Sequence, residues 1–201
     1  MEARIEPASM KEHNMSSATA TRRFMPSATY EGPGKTGTIM IWADGAPKQV
    51  ECTWGLKPVE AGGKHVSLLR WEGREISNPC LIIANDFGLR IDGRFKYRAS
   101  LITDAPFFCL SGIWRPATSD WPAAYAALTT EAYPDIAPYK DRHVAVVRED
   151  DWLNWLQQSK PVSEILRPFP PGSFSVLGTA RPTLSAICSI LADALVRVAH
   201  V

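Results

Sequence analysis

TGTIMIWADGAPKQVECTWGL, residues 36–56, sets the terms for the rest of the chain. Two runs rich in β-branched and aromatic residues, TGTIMIW (36–42) and KQVECTWGL (48–56), flank a short segment built on Asp44-Gly45. An Asp-Gly pair between such runs predicts a β-hairpin, because the tight turn needs residues that tolerate positive φ.

The pattern repeats outward from there. HVSLLRW (65–71), after the EAGGKH loop, and PCLIIAN (79–85) read as strands. The second is almost wholly apolar and is expected at the centre of a sheet. IDGRFKYRASLI (91–102) carries another Asp-Gly turn followed by alternation, and APFFCLSGIW (105–114) is a further apolar strand. AAYAALTTEA (123–132) fits helix by propensity, but its Tyr, Leu and Thr-Thr favour strand. HVAVVRED (143–150) is a short strand. EDDWLNWLQQS (149–159) is a helix with acidic residues in its first turn, and Trp152, Leu153, Trp155 and Leu156 are its expected apolar face. Residues 8–23 read as a weak helix or loop. TLSAICSILADALVRVA (183–199) reads as a final helix, apolar around most of its circumference, which must pack on the domain or on a second subunit. Strands outnumber helices, which gives a β-rich α+β fold class.

Composition narrows the function. The 201 residues are enough for one well-cored domain with appendages, and 45% apolar with 21% charged is globular. A net charge of +1 gives no global field toward nucleic acid or membrane, so any polyanion binding must come from a local patch. Cys52, Cys80, Cys109 and Cys188 lack CxxC spacing and lie in apolar runs, as buried reduced thiols do. They and the scattered His13, His65, His143 and His200 form no metal-ligand cluster, so no metal or cofactor is expected. MEARIEPASMKEHNMSS has no apolar core of the kind a secretion signal needs, and the 183–199 run is interrupted by Asp193 and Arg197. The expectation is a cytoplasmic protein without a membrane partner.

Five segments, in order, resemble the SRAP (SOS response-associated peptidase) family. CTWGLKP (52–58) resembles its Arg-Trp-Gly-Leu-Ile-Pro element, PCLIIANDFG its Cys-Leu-Ile-Pro-Ala-Asp-Gly-Phe strand, and APFFCLSGIW its Pro-Phe…Ala-Gly-Leu-Trp strand. LTTEAYPDIAPYKDRHVAVV is similar to its Thr-Thr-Glu-Ala-Asn…His-Asp-Arg-Met-Pro-Val segment, and a Trp-Leu helix follows in both. The resemblance runs from Met1 to about Phe174. It implies a barrel-type SRAP-like domain over residues 1–174 with a few peripheral helices, followed by a C-terminal extension, 175–201, whose apolar helix has no evident counterpart in the family. It also implies the family's partner, single-stranded DNA, and its chemistry, capture of abasic-site aldehydes by an N-terminal Cys.

The positions that perform that chemistry are altered. The family opens Met-Cys-Gly-Arg-Tyr; this chain opens Met1-Glu2-Ala3-Arg4-Ile5, and none of Met10, Met15, Met25 or Met40 precedes a Cys. Glu2 has no thiol, so a thiazolidine-type linkage cannot form there. The family's Asn-Ala-Arg aligns with Glu72-Gly73-Arg74, its catalytic Glu with Leu89, and its His-Asp-Arg with Lys140-Asp141-Arg142. Leu89 cannot move a proton. His143 lies at an odd offset from Lys140, so in extended chain its ring points to the opposite face. The loop between Glu75 and Asn78 is much shorter than in typical members, which implies loss of a helix that walls the family's groove.

Glu2, Glu72, Leu89 and Lys140 thus mark a degenerate catalytic site, while Arg4, Trp54, Arg74 and Arg142 match positions that hold or surround DNA. The expected function is a non-catalytic SRAP-like protein, a pseudoenzyme of the DNA damage response, that retains single-strand binding. One alternative is Lys140 acting as an amine nucleophile on an abasic-site aldehyde. Another is a protein-interaction role, with a homodimer formed through the 183–199 helix. In a third arrangement the arginines serve only to neutralise Glu2, Glu72 and Asp141. Under the family alignment Lys140 is expected within ion-pair distance of Glu2 or Glu72.

Overall fold

The computed structural model describes residues 32–60, 62–91 and 94–178. Eleven strands carry the architecture: β1 (Thr36–Ala43), β2 (Ala46–Trp54), β3 (Leu68–Arg70), β4 (Pro79–Ala84), β5 (Phe87–Ile91), β6 (Arg94–Leu101), β7 (Phe108–Arg115), β8 (Ala124–Glu131), β9 (Arg142–Val144), β10 (Val146–Val147) and β11 (Phe174–Gly178). A 3-10 turn (Glu149–Asp151) leads into helix α1 (Trp152–Gln157), and a one-turn helix α2 (Val162–Ile165) follows. The class is β-rich α+β.

The β1–β2 hairpin forms as its turn chemistry requires. Asp44 and Gly45 both take positive φ, 52° and 76°, and Ala43 pairs with Ala46. All six residues of β4 are buried, and β4 lies between β1 and β7, the central position its apolar run predicts. Residues 124–131 are strand, not helix, and β8 pairs with β2, β3, β7 and β9 along its length.

These ladders close on themselves. β7 pairs with β4, β4 with β1, β1 with β2, β2 with β8, and β8 again with β7. Gly112 of β7 makes the closure possible. A Cβ there would stand 2.9 Å from Cys80 Sγ and Ile82 Cδ1 and 3.0 Å from the Ala126 carbonyl oxygen. Only a residue without a side chain lets the neighbouring strands approach this closely.

Two apolar clusters result. One gathers Ile39, Ile82, Leu110, Tyr125 and Val146 with the β5–β6–β11 sheet. The other gathers Leu81, Ile83, Cys109 and Leu128 under α1. Trp155 and Leu156 are buried in the second cluster, and Trp152 stacks on Phe107. Leu153 does not share this face; it is exposed, because it sits roughly 100° around the helix from Trp152. The 149–167 segment is braced by Asp151. Its buried carboxylate accepts from Arg167 (2.8 Å), Lys160 (3.0 Å) and Asn154 (3.0 Å). Desolvation by burial pushes its pKa up, but these three donors outweigh that and hold it down at about 2.

Some elements depart from the sequence reading. Strand β5 emerges inside ANDFGLR, and HVSLLRW contributes only three strand residues, Leu68–Arg70. HVAVVRED splits into β9 and β10 around Ala145, whose amide bonds to Leu128 and whose carbonyl serves Ser111. The boundary expected at residue 174 falls within β11, which pairs with β6 from Phe174↔Leu101 to Gly178↔Tyr97. Cys52, Cys80 and Cys109 are buried and free, as expected. The weak helix or loop read at 8–23 and the helix expected at 183–199, together with Glu2, Arg4 and Cys188, lie outside the described residues.

Candidate nucleic-acid interface

Glu72 and Arg142 come together, although 70 residues separate them in the chain. The route is legible in the ladders. β3 and β9 both pair with β8, and Thr129 is the residue they share: it stands opposite Arg70 on one side and Val144 on the other. Glu72 extends from the end of β3, and Arg142 starts β9. The Arg142 Nη2 donates to both Glu72 carboxylate oxygens, at 2.9 and 2.7 Å, and to the Thr129 carbonyl oxygen at 2.8 Å. The Trp71 amide shares that carbonyl at 3.4 Å. The ion pair is thus a strap across β8. Desolvation pushes the Glu72 carboxyl up, but the Arg142 hydrogen bond and charge outweigh it and leave the pKa lowered.

The strap is built from one guanidinium nitrogen. The Nε of Arg142 is buried without a hydrogen-bond partner, so this is not the two-nitrogen fork that Arg makes with carboxylate or phosphate.

Lys140 does not pair with Glu72, and Glu2, the other carboxylate named for it, lies outside the described residues. Lys140 is exposed, and among the described residues it makes no ion pair. Glu72, the described carboxylate it was expected to meet, is taken by Arg142. The reason is geometric: Arg142 lies in a strand bonded to β8, while Lys140 precedes that strand on a turn where its amide bonds to Ile136. Arg74 is also exposed. Its Nε donates to the Arg70 carbonyl oxygen at 3.2 Å, and no described carboxylate neutralises it. Leu89 is 2% exposed within the first apolar cluster. Trp54, at the end of β2, stacks on Tyr125 with ring planes 6° apart and donates its indole N–H to the Ser67 carbonyl. Its ring therefore helps to fill the closed strand circuit.

His143 follows the alternation expected of it. Next to Arg142 but buried, it lies among Phe87 (5.5 Å between centroids, near-parallel), Tyr133 (4.2 Å, edge-on) and Phe174 (6.3 Å). Nδ1 lies 2.6 Å from the Val144 carbonyl oxygen and Nε2 accepts the Tyr133 amide at 3.2 Å, which fixes a neutral ring protonated on Nδ1. Desolvation pushes its pKa down to about 4, against the weaker pull of the Val144 bond. It belongs to the core rather than to a reactive site.

Among the described residues no His, Cys, Asp and Glu group has metal-binding geometry, and no helix is long and apolar enough to cross a membrane.

No protein-family model matches the chain, and no curated protein matches it. Solved structures do. A protein from Bacteroides thetaiotaomicron is 16% identical, with a TM-score of 0.53 over 72% of this chain and 74% of its own. A phage-related protein from Bordetella bronchiseptica is 20% identical, with a TM-score of 0.54 over 75% of this chain and 80% of its own. At these identities the likeness is one of fold.

The arrangement in which arginines neutralise Glu72 was open from sequence; that Arg142 is the arginine concerned depends on β3 and β9 meeting on either side of Thr129. The one signal available was charge complementarity between WEGR and KDRH.

Proposed function

We propose that this chain is a divergent SRAP-like protein that holds single-stranded DNA without the family's covalent chemistry, on a domain whose closed strand circuit is the family's barrel. The observation that carries the reading is the strap from Glu72 to Arg142. In the family alignment these positions belong to the catalytic pocket and its DNA-holding rim. Here one carries a carboxylate, and that carboxylate occupies the other's guanidinium. Leu89, at the position of the proton-moving Glu, is sealed in apolar surroundings, which supports the loss of acid–base work at that point. The exposure of Lys140 also speaks against its use as an amine nucleophile, which needs desolvation or a crowd of cations to lower its pKa.

DNA holding then rests first on Arg74, exposed beside Arg70 and free of described carboxylates. Arg142 contributes only when Glu72 lets go. A fluorescent single-stranded oligonucleotide titrated over a range of salt tests this. Binding should weaken with salt, and Arg74→Ala should make the slope shallower by roughly one phosphate contact. Binding that is absent at low salt, or untouched by Arg74→Ala, removes the DNA reading.

A further inference from the structure

The β5–β6–β11 sheet is covered on one face and bare on the other. Alternation along β6 and β11 sorts the residues. Ala99, Leu101, Phe174 and Val176 turn into the first apolar cluster, so Ser100, Ile102, Ser175 and Leu177 face away from it. Ile102 and Leu177 are 64% and 66% exposed, and among the described large hydrophobic residues Val59 alone is more so. Leu177 stands opposite Arg98, and Ile102, just past β6, is held in register by its amide bond to the Ser173 carbonyl. The two apolar side chains therefore lie about 14 Å apart. Between them Ser100 pairs with Ser175, and the Arg98 charge is met by Asp86.

The chain carries a cover for this face. β11 ends at Gly178, next to Leu177, and 23 residues follow (201 − 178). The other exposed large hydrophobics sit elsewhere: Val59 after β2, Leu68 on β3 and Leu153 on α1. Among the residues that follow Gly178, the TLSAICSILADALVRVA run (183–199) is one-sided when wound at 100° per residue. Ser185, Ser189, Asp193 and Arg197, four apart, fall on one strip. Leu184, Ile187, Leu191, Leu195 and Val198 fall on the opposite side, with Cys188 at its margin. A helix of this kind needs water along the strip and an apolar cover along the leucines.

Reach and length agree with a cover from the same copy. The four residues 179–182 span up to about 14 Å, enough to turn the chain back and lift it one packing layer, roughly 10 Å, above the sheet. A 17-residue helix is about 25 Å long, so one that doubles back along β11 passes over Leu177 and then Ile102. Cys188, five residues into the run, comes to lie over Ser100. We propose that residues 183–199 dock as a helix on the outward face of β6 and β11, with the leucine side seated on Leu177 and Ile102 and the Ser-Asp-Arg strip in water. The inference stands apart from the DNA reading, because it uses none of Glu72, Arg74 and Arg142.

Cys188 is a built-in probe for the test, since Cys52, Cys80 and Cys109 are buried. Ser100→Cys in the full chain, treated with a short bis-maleimide and digested, should show position 100 joined to Cys188 within one copy. Lys48→Cys, on the β1–β2 hairpin, should show no such link. With no engineered cysteine, Cys188 should react slowly with a water-soluble maleimide, and Leu177→Asp should speed that reaction roughly fivefold by removing part of the apolar seat. The proposal is overturned if position 100 links to Cys188 of another copy, which would make the run a dimer seam, or if the two do not link at all. It is equally overturned if Cys188 reacts as fast in wild type as in Leu177→Asp, or is protected only when phosphatidylcholine vesicles are added.

Discussion

The Tyr133 amide donates to His143 Nε2 at 3.2 Å while the Tyr133 ring meets the imidazole edge-on at 4.2 Å, so one residue fixes both the tautomer and the burial of the other. Protonating His143 would remove its acceptor lone pair and place a charge among Phe87, Tyr133 and Phe174.

This arrangement makes stability fall with acid in a defined window. The folded-state pKa, about 4, lies below the ordinary value of 6.5, so the unfolded chain takes up the proton first. The contribution is complete above pH 6.5, declines as pH falls toward 4 and is flat below that, for a total of about 3 kcal/mol. Asp151, held at about 2, loses its contribution only at lower pH. Urea unfolding of wild type and His143→Phe at several pH values should show a slope between 6.5 and 4 in wild type alone. Parallel curves would place the titrating group elsewhere.

Glu72→Gln should strengthen oligonucleotide binding by freeing Arg142 and should steepen the salt slope by roughly one contact. Arg142→Ala alone should leave the slope unchanged, because Glu72 already occupies that guanidinium. In the Glu72→Gln background it should cancel the gain. Equal slopes in all four proteins would mean that the strap does not regulate DNA contact. The pair is partly exposed, so either single change should cost stability only about 1 kcal/mol or less.

Abasic-site DNA should form no denaturation-resistant adduct with this chain, with or without borohydride. Lys140→Ala should change neither that result nor, beyond about 0.5 kcal/mol, the stability, as befits an exposed lysine. An adduct lost on Lys140→Ala would revive the amine-nucleophile chemistry.

Gly112→Ala should destabilise the fold by about 1–3 kcal/mol through overpacking against Cys80, Ile82 and the Ala126 backbone. Thermal melts would read this directly. A neutral substitution would show that β4, β7 and β8 can part without loss.

How far the sequence could be read follows from the range of each interaction. The β1–β2 hairpin and the apolar β4 were legible because Asp44-Gly45 and PCLIIA are local signals of turn and burial. Strand β5 was hidden because only Asn85 and Asp86 separate it from β4, and NDFG lacks a strong turn pair. Leu153 departs from the expected face because neighbours in sequence lie roughly 100° apart around a helix. At the site, that Leu89 cannot move a proton could be recognised from side-chain chemistry alone. That Glu72 would choose Arg142 over Lys140 could not, since the choice depends on Thr129 lying between β3 and β9.

The strand circuit has a temporal consequence. The hairpin β1–β2 comes early in the chain, but the partner for its outer edge is β8, and the two meet only at Thr53↔Ala124 and Trp54↔Tyr125. Thr53 must wait for a residue 71 positions later (124 − 53). On a ribosome, the free edge of β2 therefore stays open while those residues are made. Such an edge invites mispairing with other nascent chains. The residues of β2 suit that delay: Lys48, Gln49 and Glu51 are exposed, and Pro47 withholds an N–H. Their polarity guards the part of this edge that β8 does not cover, both while β8 is being made and afterwards.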